Sequence, residues 1–390
     1  MLLELDRRIG VVVSANFLAV AARMSLVTFL GIYFVRHAGI AVATVGVAFL
    51  CESLMRGLGA PMFGALSDRV GRRALLIASA LATAVILPCF LLVDGPLSLV
   101  AWSLALGVTG AVNMPVASAL LLDLAPTDRR QSVLALNYTV ISVAYTLGVM
   151  PAGYVAQRGY GWLAVVSAVG YLLVAALYAA ALRGPLALER SRGGSMLRDT
   201  VSAFRDARFV GFALIAFAFP LSMGMVVTAS PLFAAERGLG EGYIGLVLGG
   251  NSILVAAAAL PVAARIEPLG PFRLLGAAAF VVAAAFLCYG LVPDAAWALL
   301  AGTVVFSFGE IVFSSAVPAA VARLAPGGQR GAYQGGWTLV ASLSMGIALV
   351  LSSFLKELLA GWGGAWLAFA ALPAAAGAAF VLLRARFQKL

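Results

Sequence analysis

Twelve long apolar segments separated by short polar ones constrain this 390-residue chain more than any other feature of its sequence. Each segment is about 20 residues long or longer, which is the length that an α-helix needs to cross about 30 Å of hydrocarbon. We therefore predict an all-α membrane protein with twelve transmembrane helices. The segments lie near residues 10–35, 41–64, 74–93, 97–122, 131–156, 161–183, 209–233, 243–264, 272–292, 295–322, 332–355 and 363–383.

The composition agrees with a membrane protein and excludes a soluble one. Hydrophobic residues make up 63% of the chain and charged residues 11%, whereas charged residues make up about 25% of a typical soluble domain. The formal net charge of +10 could indicate a nucleic-acid partner, but the basic residues lie between apolar segments and form no single patch. We therefore expect membrane lipid, and no nucleic acid, as a partner.

The distribution of basic residues predicts the orientation in the membrane. An even number of spans places both termini on one side, and twenty of the 26 Lys and Arg residues fall on that side. Of those outside the spans, Arg36, Arg158, Arg237 and Lys356 fall on the other side. Because cytoplasmic loops are enriched in Lys and Arg, we predict a multi-pass protein of the cell membrane with both termini in the cytoplasm.

A polar stretch at residues 184–208 separates six spans from six. We predict an amino-terminal six-helix bundle at 1–183, a cytoplasmic linker at 184–208 and a carboxy-terminal six-helix bundle at 209–390. An internal repeat supports this division, because Leu-Ala-Pro at residues 124–126 recurs at 324–326, at the same place in the second half.

A charged turn between the second and third spans carries the most specific pattern, Gly-Ala-Leu-Ser-Asp-Arg-Val-Gly-Arg-Arg at residues 64–73. It resembles the signature loop between helices 2 and 3 of the major facilitator superfamily, Gly-x-Leu-Ala-Asp-Arg-x-Gly-Arg-Lys/Arg, with the Ala replaced by Ser67. The resemblance implies two pseudo-symmetric six-helix bundles and secondary active transport by alternating access. It also implies that Asp68 faces the start of helix 11 and that Arg72 bridges Asp68 and Asp123. The implied gate residues are Gly64, Asp68, Arg69, Gly71, Arg72, Arg73, Asp123 and Arg330.

Four charged residues lie inside the predicted spans, namely Arg23, Glu52, Arg56 and Glu310. A charge at mid-bilayer costs at least about 2.5–3.5 kcal/mol, so such residues usually face a cavity or a partner. Glu52 and Arg56 are four residues apart on one helix face and can form an intramembrane ion pair. Glu310 has no charged neighbour on its own helix before Arg323, and such a carboxyl group can change its protonation state during a transport cycle. We predict proton coupling by Glu310 and Glu52.

The tenth span adds a second resemblance. Phe-Gly-Glu-Ile-Val-Phe-Ser-Ser-Ala-Val-Pro at residues 308–318, with Arg-Gly-Ala-Tyr-Gln-Gly at 330–335, is similar to helix 10 and the following turn of drug/proton antiporters of the superfamily. This resemblance implies proton-driven efflux of small amphipathic or lipophilic compounds. Two family features are incomplete, because the glycine and proline element at 148–153 lacks one glycine and helix 4 has no arginine at 104–110. Arg23 could supply that charge from another helix.

Polar residues within the spans are candidates for the substrate cavity, although polar side chains also hold membrane helices together. Two alternatives stay open beside efflux. One is a symporter or facilitator of a small polar or anionic solute, with Arg23 binding the anion, and the other is a transporter-like sensor or lipid-handling protein that does not cycle. The cavity candidates are Arg23, Asn113, Asn137, Tyr138, Asn251, Gln334 and Trp337.

Nothing in the sequence indicates an enzyme. It contains no nucleotide-binding loop, no metal-ligand spacing and no Ser/His/Asp set, and His37 is its single histidine. Cys51, Cys89 and Cys288 lie in apolar segments at unrelated spacings, so we expect neither a disulfide nor a metal site. We expect no cofactor, and a monomer that binds a small-molecule substrate and protons.

Overall fold

The computed structural model describes residues 6–126, 129–181, 203–292, 296–326 and 329–388, which are almost entirely helical and include no strand. Twelve helices in this part of the chain are long and apolar enough to cross a membrane, which confirms the predicted fold class. They are α1 (Arg7–Arg36), α2 (Val42–Val70), α3 (Arg72–Ile86), α4 (Pro96–Leu124), α5 (Arg130–Arg158), α6 (Tyr160–Ala181), α7 (Ala207–Glu236), α8 (Glu241–Ile266), α9 (Pro271–Leu291), α10 (Ala296–Leu324), α11 (Arg330–Leu358) and α12 (Trp362–Gln388).

The charged stretch at 64–73 is helical over most of its length, so the predicted turn was too long. Helix α2 continues to Val70 and α3 begins at Arg72, which leaves Gly71 as the only residue between them. Gly71 has a φ of 91°, a backbone conformation that residues with a side chain rarely adopt. Charged side chains do not themselves end a helix, and a single left-handed glycine is sufficient to redirect the chain here.

Prolines interrupt two of the spans. Helix α3 ends at Ile86, and Pro88–Leu92 continues the third span as a 3₁₀ turn. Helix α7 is interrupted at Phe217. The cause in α7 is Pro220, because a proline has no N–H to donate to the carbonyl group four residues earlier.

The described residues group into two compact units that do not follow chain order throughout. The first unit falls within Met1–Ile40, Cys51–Gly194 and Glu241–Gly249. The second falls within Ala41–Leu50, Ser195–Gly240 and Gly250–Leu390. Most of the predicted linker, residues 184–202, lies outside the described residues, so the predicted domain boundaries remain a prediction.

Small residues allow close helix packing in the first unit. Helix α1 packs against α5 and α6. A Cβ atom added to Gly148 of α5 would lie 2.5 Å from the carbonyl oxygen of Ala21, and one added to Gly170 of α6 would lie 2.6 Å from the Cβ atom of Ala22. This spacing fixes the middle of α1 against two neighbours, and Arg23 follows directly in that turn.

Aromatic rings form much of the core of the second unit. The rings of Phe219 and Phe313 stack with their centroids 3.6 Å apart. Trp366 is fully buried and contacts Phe286 and Tyr289, with ring centroids 5.4 Å and 5.0 Å away. These contacts join α7 to α10 and α12 to α9, and they fix the position of α10.

Candidate functional site

A cluster of three charged side chains joins the middle of α1 to the middle of α2 in the first unit. Arg23 donates a hydrogen bond from Nη2 to Oε1 of Glu52. Arg56 Nη1 lies 3.6 Å from the same carboxylate oxygen. The side chains of Arg23 and Glu52 are 10% and 12% exposed, and that of Arg56 is 34% exposed. Glu52 is therefore shared by two guanidinium groups, one of which is buried.

Two glycines of α4 make room for this cluster. A Cβ atom on Gly107 would lie 2.6 Å from the carbonyl oxygen of Glu52 and 2.7 Å from the Cβ atom of Met55. One on Gly110 would lie 3.4 Å from Nη1 of Arg23. The guanidinium group of Arg23 therefore rests against the segment of α4 in which the family's arginine is absent.

A second polar network holds α1, α4, α5 and α6 together. Asn16 donates from Nδ2 to Oδ1 of Asn137 at 2.8 Å, and Asn113 donates from Nδ2 to Oδ1 of Asn16 at 3.5 Å. The hydroxyl of Tyr178 lies 3.4 Å from the Oδ1 atom of Asn16 and from that of Asn113, and its single hydrogen can be donated to either. Asn113 and Asn137 were predicted as cavity residues, and the structure engages both in helix packing. Tyr138, predicted for the same cavity, is 66% exposed.

Sequence reasoning missed two members of this network. Asn16 is fully buried in the middle of an apolar span, and its amide was a visible signal. Tyr178 gave no signal, because a tyrosine near the end of a span is also typical of the membrane interface.

The second unit contains one buried arrangement around Glu310. Asn251 of α8 donates from Nδ2 to Oε2 of Glu310 at 3.1 Å. Ser307 donates from Oγ to Oδ1 of Asn251 at 2.5 Å, one turn before Glu310 on α10. The amide oxygen of Asn251 thus faces Ser307 and its NH₂ group faces the carboxyl group. Among the described residues, Glu310 forms no ion pair. Its one side-chain hydrogen bond there is the one that it accepts from Asn251.

The other two cavity candidates of the second unit differ in exposure. Gln334 is exposed on α11. Trp337 is 7% exposed and packs against the rings of Phe212 and Phe313, with centroids 5.7 Å and 6.1 Å away. The indole of Trp337 therefore belongs to the aromatic core of this unit.

Part of the predicted gate lies in the described structure. Arg72 Nη1 lies 2.8 Å from Asp123 Oδ2 at the adjoining ends of α3 and α4, and the Arg72 side chain is 6% exposed. Arg73 donates from Nη2 to the carbonyl oxygen of Ala179 at 2.8 Å. Arg69 is exposed. The side chains of Asp68 and Arg330 lie outside the described residues, so their predicted contacts stay a prediction.

Other features of the described chain lie apart from these clusters. A cavity of about 230 Å³ between α1, α5 and α6 is lined by apolar side chains and Ser25, and it includes none of the predicted site residues. No group of three His, Cys, Asp or Glu side chains in the described ranges could hold a metal ion. His37 is exposed and stacks on Tyr33, with ring centroids 5.7 Å apart.

Comparisons with known proteins place these features in a family. The family model of the Major Facilitator Superfamily matches residues 12–240 and 212–389. A Na(+), Li(+), K(+)/H(+) antiporter of Planococcus maritimus is 32% identical over 127 residues, which is 31% of this chain and 29% of the relative. A putative metabolite transport protein of Escherichia coli K12 is 24% identical over 136 residues, 33% of this chain and 30% of the relative. Both matches thus span less than a third of the relative's length.

Solved structures match along nearly the whole chain. The nucleoside transporter NupG superposes with a TM-score of 0.81 at 14% identity, over 96% of this chain and 99% of that one. A POT family transporter in complex with a thioalcohol-conjugated peptide gives 0.80 at 14% identity, over 98% and 97%. The human organic anion transporter MFSD10 gives 0.66 at 18% identity, over 95% and 98%. At these identities the likeness extends to the fold alone.

Proposed function

This chain belongs to the major facilitator superfamily of transporters, and we propose that it exports small amphipathic or lipophilic compounds in exchange for protons, by alternating access. The proton is the coupling partner in this proposal, and a small molecule is the substrate. The observation that carries the proposal is the environment of Glu310.

Glu310 lies near the middle of α10, where an uncompensated charge is costly. Glu310 has no ion-pair partner among the described residues. Protonation of its carboxyl group therefore leaves no arginine or lysine without its counter-charge. Its ionised form is accommodated by the amide donor of Asn251, 3.1 Å away. A carboxyl group that tolerates both states can bind a proton in one conformation and release it in the other.

Two further observations support an antiporter. One relative, which is 32% identical across 31% of this chain, bears the name of a cation/proton antiporter. In addition, the guanidinium group of Arg23 lies against Gly110 of α4. The charge that the family resemblance leads one to expect on helix 4 is thus present near that helix, although another helix supplies it.

The test is transport into inverted membrane vesicles, with and without a pH gradient, across a panel of amphipathic compounds. Glu310→Gln keeps the size and hydrogen-bonding capacity of the side chain but cannot ionise. We expect this variant to lose accumulation driven by the pH gradient while it still binds the transported compound. Glu357→Gln, which changes an exposed carboxyl group at the end of α11, is the matched control and should transport normally. Wild-type proton coupling in Glu310→Gln would remove Glu310 from the mechanism.

The same vesicles separate the alternatives. Proton movement in the same direction as the solute would identify a symporter, and solute flux that ignores the gradient would identify a facilitator. A protein that binds compounds but moves none across the membrane, at any gradient, would be a sensor or lipid-handling protein.

A further inference from the structure

The charges of Arg23, Glu52 and Arg56 do not balance. Two guanidinium groups share one carboxylate, and no other carboxylate among the described residues lies within ion-pair distance of either arginine. The cluster therefore carries one surplus positive charge. It lies near the middle of the span Arg7–Arg36 and of the span Val42–Ala60, where such a surplus is costly unless an anion or water compensates it.

The surplus resides on Arg56. Arg23 is largely buried: its Nη2 donates to Glu52, and its Nη1, which has no hydrogen-bond partner in the described part of the chain, is buried against Gly110 of α4. Arg56 lies 3.6 Å from Glu52 Oε1, which is too long for a hydrogen bond. Within the described chain Arg56 donates no hydrogen bond, and 34% of its side chain is exposed. Its guanidinium group thus has several N–H donors and a positive charge without a hydrogen-bond partner among the described residues.

An arginine whose N–H groups have no hydrogen-bond partner favours one class of ligand. A planar guanidinium group pairs best with an oxyanion that accepts two parallel hydrogen bonds, such as a carboxylate, sulfonate or phosphate. A lipid headgroup could offer the same chemistry at the membrane surface, but Glu52 lies near the middle of the span Val42–Ala60 and Arg56 lies one turn nearer its end. A solute that enters the protein is the source consistent with this depth.

We infer that the transported compound carries an anionic group that binds at Arg56. This inference rests on the proposed transport function and specifies its substrate class, namely amphipathic oxyanions. It also assigns anion binding to Arg56, whereas the symporter or facilitator alternative assigned it to Arg23. The physical reason is that Arg23 is buried and paired with Glu52, whereas the side chain of Arg56 is partly exposed.

The experiment is equilibrium binding to the full-length protein in nanodiscs of phosphatidylcholine, with no pH gradient. The probes are matched pairs that differ in charge: benzoate with benzamide, naphthalene-2-sulfonate with its sulfonamide, and phenyl phosphate with phenol. We expect at least one anion to bind at least about tenfold more tightly than its neutral partner, as one hydrogen bond between charged groups provides. If none of the three anions is preferred, the inference is wrong.

Variants then locate the site. Arg56→Gln should lower the affinity for the preferred anion about tenfold and leave the neutral partner unchanged, whereas Arg56→Lys, which keeps the charge, should retain most of the preference. Arg158→Gln, an exposed arginine at the end of α5, is the control and should bind like wild type. Anion preference that survives in Arg56→Gln would overturn the assignment.

Two additional measurements distinguish a solute from a lipid headgroup, and anion binding from proton coupling. Nanodiscs that contain phosphatidylglycerol should bind the probe anion as well as nanodiscs without it, and competition by this lipid would instead make a headgroup the ligand and overturn the solute assignment. Glu310→Gln should keep the anion preference, because proton coupling plays no part in this measurement. Failure of proton coupling and failure of anion binding are therefore distinct results.

Discussion

Removal of the Glu52 carboxylate is expected to cost more stability than removal of either arginine beside it. Both guanidinium groups make their ion pair with the same atom, Glu52 Oε1. Glu52→Gln therefore loses two attractions and leaves two like charges together. Arg23→Gln leaves the carboxylate paired with Arg56, and Arg56→Gln leaves it paired with Arg23.

The magnitudes follow from distance and burial. At the 3.6 Å between Arg56 Nη1 and Glu52 Oε1, Coulomb's law gives about 5 kcal/mol at an effective dielectric constant of about 20, before desolvation. Because Arg56 is a third exposed, we reduce this to about 1 kcal/mol. Breaking the buried pair of Arg23 with Glu52 costs about 3–5 kcal/mol. We expect the free energy of unfolding to fall by about 4–5 kcal/mol in Glu52→Gln, about 3 in Arg23→Gln and about 1 in Arg56→Gln.

The assay is reversible unfolding in mixed micelles, followed by far-UV circular dichroism. The double variant of Arg23→Gln with Glu52→Gln should be more stable than the sum of its single changes by about 2 kcal/mol, because it leaves no buried charge without a partner. Glu357→Gln serves as an exposed control and should change the free energy of unfolding by less than about 0.5 kcal/mol. An additive double variant, or a larger loss in Arg23→Gln than in Glu52→Gln, would refute the reasoning.

Two further predictions concern the gate and the packing of α4. Asp68→Asn is expected to shift the protein toward its inward-open state and to slow transport while substrate binding persists, since only the outward-open state loses an attraction. Labelling of single cysteines on each face, in a background without the native cysteines, measures this shift. Unchanged labelling on both faces would contradict the gate. Gly107→Ala should lower the free energy of unfolding by about 1–3 kcal/mol, because the new methyl group would lie 2.6 Å from the Glu52 carbonyl oxygen. Gly161→Ala, on an open face of α6 with no atom within 4 Å, is its control and should be nearly neutral.

The contacts of Glu52 show which ion pairs can be predicted from residue spacing within one helix. A separation of four residues placed Glu52 and Arg56 on one helix face, and their ion pair is present in the structure. The stronger partner, Arg23, lies 29 residues away on another helix. The cost of an unpaired charge in the membrane predicts that Arg23 joins this pair in one network, and the contact itself is formed where α4 approaches closely at Gly107 and Gly110.

The predicted turn at residues 64–73 was too long. Its polarity suggested a turn throughout, but helical hydrogen bonds continue to Val70 and only Gly71 leaves the helical conformation. The polarity of a segment indicates where the chain contacts water, whereas the end of a helix depends on backbone conformation. The sequence contained the signal for that end in the glycine itself.

The sequence by itself determined the class of the protein, because the length and hydrophobicity of each segment are local properties that a bilayer selects directly. It also predicted which charged residues lie inside the apolar segments. Only the tertiary structure decided what those charges contact: Asn251 reaches Glu310 across 59 residues of sequence, and Asn16 reaches Asn137 across 121. Such contacts are set by helix packing over long separations, and packing depends on the shapes of all the neighbouring side chains at once.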